Sequence, residues 1–158
     1  MSETSFRIAN FLKMFSMFIV FGSLIYFYAY VENRLGFVNE AEFWLEKTPK
    51  SYIFYTGLGI FALFNLLMSV GLSMFKNAQG YDDKSWLFKN SLHKEKVSIG
   101  MTYLLIGINS MIASAVIYMA LIRINIMKNE TDYIFWPLLG LLILIITVVY
   151  LVMAIAKK

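Results

Sequence analysis

Charged residues divide this chain into blocks. Four stretches, 14–31, 52–75, 97–122 and 133–156, contain no Asp, Glu, Lys, Arg or His. They run 18 to 26 residues, and at about 1.5 Å per residue even the shortest covers roughly 27 Å, close to the ~30 Å hydrocarbon thickness of a bilayer. None has the one-sided apolar stripe of a soluble bundle helix. The pattern predicts an all-α, integral membrane four-helix bundle in one domain covering 1–158, with spans at about 10–31, 52–75, 97–122 and 133–156. The first span is too long for the apolar core of a signal peptide, has no clear small-x-small cleavage site and is followed by aromatic residues, so it is expected to stay in the mature protein.

The connections carry their own signals. After Glu32-Asn33-Arg34 and Gly36, the run Asn39-Glu40-Ala41-Glu42 supplies a capping box in front of Phe43, Trp44 and Leu45, predicting a short helix lying at the membrane interface. Thr48-Pro49 then reads as N-cap and first helical position of the second span. The middle loop, 76–96, has a turn signal at Asn77-Ala78-Gln79-Gly80 and an aromatic segment with Trp86, Leu87 and Phe88 among lysines. Trp44, Trp86 and Phe88 are the candidates for docking on the membrane surface or on a partner.

Charge sets the expected orientation. Arg7, Lys13, Lys76, Lys84, Lys89, Lys94, Lys96, Lys157 and Lys158 fall on one side, nine in all, against Arg34, Lys47, Lys50, Arg123 and Lys128, five, on the other. Basic residues accumulate on the cytoplasmic side, which places both termini and the middle loop there. The net charge of +4 then suits anionic headgroups better than nucleic acid. A hydrophobic fraction of 59% and a mean hydropathy of +0.67 agree with a membrane protein. Absence of cysteine removes disulfides, thiolate metal sites and palmitoylation; with short loops it points to a bacterial cytoplasmic (inner) membrane.

Within the spans, chemistry is sparse. Asn65 and Asn109 lie ten and twelve residues from the cytoplasmic ends of spans two and three, hence at similar depth, about 15 to 18 Å in. An unsatisfied amide in hydrocarbon is costly, so the two are expected to bond each other, or Ser69 or Ser110, and fasten the helices at about 0.6 to 2 kcal/mol. Span three carries Gly100, Gly107, Ser110 and Ser114 at helical spacing, a stripe that admits another helix closely and makes this span the expected centre of the bundle. Gly57, Gly59, Ser69, Gly71 and Ser73 suggest span two as its neighbour. Span four is nearly all Leu, Ile and Val apart from Gly140, Thr147 and Tyr150, and is expected to face lipid or a large apolar partner. Tyr26, Phe27, Tyr28, Tyr30, Tyr52, Phe54, Tyr55, Tyr118, Tyr133, Phe135 and Trp136 read as an interfacial belt at the outer ends, and Arg123 as an interfacial partner of Glu32 or Asp132.

Catalytic signals are missing. The single histidine, His93, rules out a bis-histidine haem and reads as a solvated loop residue without a metal pattern around it. No nucleophile elbow, zinc motif or phosphate loop is present, and Asn129-Glu130-Thr131 is only a tripeptide sequon. No enzyme activity and no cofactor are expected. No internal repeat relates the two halves, which removes the usual pointer to a transporter. The sequence therefore points to a non-catalytic accessory or scaffolding subunit of a larger membrane complex, with the lipid bilayer and other integral membrane subunits as partners. The alternative is a small homo-oligomeric transporter or channel for a neutral or lipid-like substrate, its path lined by Asn65, Asn109, Thr102 and Ser110.

Overall fold

A computed structural model of the chain describes residues 3–31, 50–81, 84, 90–124 and 134–156. These form four helices: α1 (Glu3–Val31), α2 (Lys50–Asn77), α3 (Ser91–Ile124) and α4 (Phe135–Ala156). All four are long and apolar enough to cross a membrane, so the chain is a multi-pass membrane protein by length and composition. The segment expected to hold an interfacial helix, 32–49, lies outside the described residues, as do Trp44, Trp86 and Phe88.

Local chemistry sets the helix ends. Asn90 caps α3, its side-chain oxygen accepting the His93 backbone N–H at 2.8 Å, which satisfies one of the orphan donors of a first helical turn. The helix therefore starts six residues before the charge-free stretch and takes in His93, which is only 5% exposed. The expectation of a solvated loop histidine is corrected on this point: the cap, invisible to a hydropathy reading, draws the residue into a packed first turn. Beyond α2, Gly80 adopts φ +96°, a conformation that favours glycine, and Lys94 Nζ donates to the Ala78 carbonyl at 2.7 Å, where a cation suits a helix C-terminus. Pro137 is the third residue of α4, inside the first turn where its missing N–H has no intrahelical partner to lose.

Helix α3 is the hub, packed most extensively on α4 and α1 and less on α2. The helices α1, α2 and α3 meet in layers. Across α1 and α2, Lys76 Nζ lies 4.4 Å from the Phe6 ring centroid, Phe21 meets Phe61 at 4.9 Å, and Tyr28 meets Phe54 at 5.0 Å. One antiparallel register therefore holds over the whole length of the pair. On α1 the inward residues Ala9, Ser16, Val20, Leu24 and Phe27 are all nearly fully buried, at steps of seven, four, four and three residues that keep them on one helix face. Phe27, expected in the aromatic belt, is thus a core residue at 0% exposure, whereas Tyr26, Tyr28, Tyr30, Tyr52 and Tyr55 are exposed.

The second seam joins α3 to α4. Gly100, Gly107 and Ser114 are spaced by seven residues, and so are Gly140, Thr147 and Ala154, the buried residues of α4. A seven-residue repeat on both partners keeps one stripe facing the other along the seam. A methyl on Gly100 would lie 2.9 Å from Leu151 Cδ1 and 3.3 Å from Leu151 Cα, and one on Gly140 would lie 2.7 Å from Ser114 Cβ. Gly140 and Thr147, which look like exceptions in an aliphatic span, are in fact its docking edge. In contrast, a methyl added at Gly59 or Gly71 would meet nothing within 4 Å, and Ser69 and Ser73 are exposed. The small residues of α2 do not form its contact face, Gly57 against Leu24 apart.

This register is directly testable. The Cβ position of Gly100 is 3.7 Å from Leu151 Cβ, inside the range of about 3.5–4.5 Å that disulfides need, and the chain has no cysteine of its own. The pair Gly100→Cys and Leu151→Cys should crosslink rapidly within one chain under mild oxidant, read as a mobility shift reversed by reductant. A pair offset by two residues, Gly100→Cys with Met153→Cys, should not.

Candidate functional site

The most polar point in the apolar interior is a layer built by three helices. Asn65 of α2 donates through Nδ2 to Asn109 Oδ1 at 2.8 Å, and Asn109 of α3 donates through Nδ2 to Asn65 Oδ1 at 3.2 Å. The remaining hydrogens are also placed: Asn65 Nδ2 donates to the Phe61 carbonyl at 2.8 Å, and Asn109 Nδ2 donates to Ser16 Oγ at 3.1 Å. Ser16 Oγ in turn donates to the Lys13 carbonyl at 2.6 Å. Asn109 is 0% exposed, Ser16 4% and Asn65 7%. Every donor of both amides is used inside the protein, so the layer binds its own helices and offers no donor to a ligand.

Ser16 is the member that sequence reasoning missed. A serine in a span usually bonds its own backbone, and Ser16 does so while its oxygen also receives Asn109. Its spacing from Ala9 and Val20 on one face is the signal that places it inward. Ser110 and Ser114 are bonded to the Ile106 and Ser110 carbonyls at 2.8 and 2.7 Å, and neither joins the amide layer. Ser114 instead packs on Gly140, as Gly107 packs on Leu144 and Thr147 and Gly100 on Leu151.

The polar layer divides the interior in two. On the side away from the termini, Val20, Leu24, Phe27, Ile53, Phe61, Ala113, Val116 and Ala120 form one apolar cluster. On the side toward the termini the buried set mixes Leu72, Phe75, Val97, Ile99 and Leu105 with the polar residues Thr102, Ser98 and His93. Thr102 donates to the Ser98 carbonyl at 3.0 Å and Ser98 to the Lys94 carbonyl at 2.9 Å. Lys13 stands in this half. It lies one turn below Ser16, half-buried, and the contact register sets it level with Ser69 of α2 and Ile106 of α3. Counted by its own apolar stretch, Lys13 is a flanking cation outside the membrane; counted by its neighbours, it lies well inside their charge-free stretches. The neighbours decide, because depth is shared across packed helices.

Arg123 falls near the end of α3, and its side chain, like Glu32 and Asp132, is outside the described residues. Among the described residues no cluster of His, Cys, Asp or Glu is arranged to hold a metal ion. The one ion pair between described residues, Arg7 Nη2 to Glu3 Oε1 at 2.6 Å, is fully on the surface and contributes little. Compared with protein-family models, curated proteins and solved structures, the chain gives no significant match.

Proposed function

We propose that this chain is a non-catalytic subunit of a larger membrane assembly, contributing helix packing and a docking face. The observation that carries the reading is the placement of α4. It is held along one edge by α3, with no comparable contact on α1 or α2, and leaves Leu138, Leu141, Leu142, Ile145, Ile146 and Val149 exposed. In a bilayer that aliphatic face meets lipid or another subunit's helices, and an uncharged, tightly anchored helix suits the latter. Trp44, Trp86 and Phe88 would add contacts at the two surfaces. The basic bias places both termini and the middle loop in the cytoplasm, and the membrane would be a bacterial inner membrane.

The transport alternative has less behind it. Asn65 and Asn109 direct their donors to one another, to Phe61 and to Ser16, and Thr102 and Ser110 donate within their own helix. A permeation path needs such groups turned toward the permeant.

Gentle native extraction of the chain at endogenous level, followed by sizing and mass spectrometry, should recover a stoichiometric set of larger integral membrane partners. Recovery of one or a few copies of this chain alone would sink the reading and favour transport.

A further inference from the structure

We draw no further inference here: the strongest candidate, the exposed stripe of small residues Thr56, Gly59, Ala62, Ser69 and Ser73 along the outward face of α2, carries nothing because nothing in the structure shows what covers it.

Discussion

Replacing Gly107 by leucine should unseat α4 from α3 and lower thermal stability more than any other single change along that seam. Even a methyl at this position would overlap Thr147 Oγ1 and stand 3.2 Å from both Leu144 Cα and Thr147 Cβ. A rotating side chain can yield, but the Leu144 backbone cannot, so the strain is relieved only by moving the whole of α4. Extra methylenes in a close-packed interior cost about 1–3 kcal/mol, and leucine adds three carbons beyond the first. Separation has no second helix to resist it, since α4 packs on α3 without comparable support elsewhere. The readouts are the melting temperature in detergent and the crosslink between cysteines at 100 and 151, which should slow sharply. Gly59→Leu is the matched control: its methyl position is open, and stability should hold or rise slightly, as glycine is about 1 kcal/mol poorer than alanine inside a helix. Equal melting temperatures for Gly107→Leu and Gly59→Leu would show that the seam does not hold α4.

The four helices are legible in the sequence because their signal is compositional: a stretch of about twenty residues without charge needs no knowledge of its neighbours. The two asparagines stand out for the same reason, as polar residues in apolar runs. What a single run cannot reveal is register. Lys13 borders its own charge-free stretch, and only the pairing of Phe6 with Lys76, Phe21 with Phe61 and Ser16 with Asn109 shows how far inside its neighbours it stands. Thr147 has the same ambiguity. Alone in an aliphatic helix it looks incidental, and its meaning comes from Gly107 on the facing helix. Phe27 and Tyr28 are adjacent aromatics at one depth, separated by which side of α1 they take. The capping of α3 by Asn90 is hidden because the charged residues that follow it, Lys94 to Lys96, resemble a loop when read by hydropathy.

Asn109→Leu and Asn65→Leu should each destabilise the protein, while the double variant should be more stable than either. Leucine matches asparagine roughly in volume, so packing changes little and the hydrogen bonds decide the sign. With Asn109 replaced, the Asn65 carbonyl loses its donor; with Asn65 replaced, the fully buried Asn109 carbonyl does. A buried acceptor stranded in this way costs about 1–3 kcal/mol, whereas removing both partners of a bond can be nearly neutral. Interhelical bonds in membranes average only about 0.6 kcal/mol when measured by cycles, so the penalty in the singles comes chiefly from the orphaned group. In the double variant the remaining orphan is small: Ser16 keeps its own bond to the Lys13 carbonyl, and the Phe61 carbonyl returns to an ordinary helical role. A double-mutant cycle on melting in detergent measures this directly. Singles indistinguishable from the parent would mean that the amide layer does not fasten α2 to α3, and a double variant less stable than both singles would mean that the two side chains act separately.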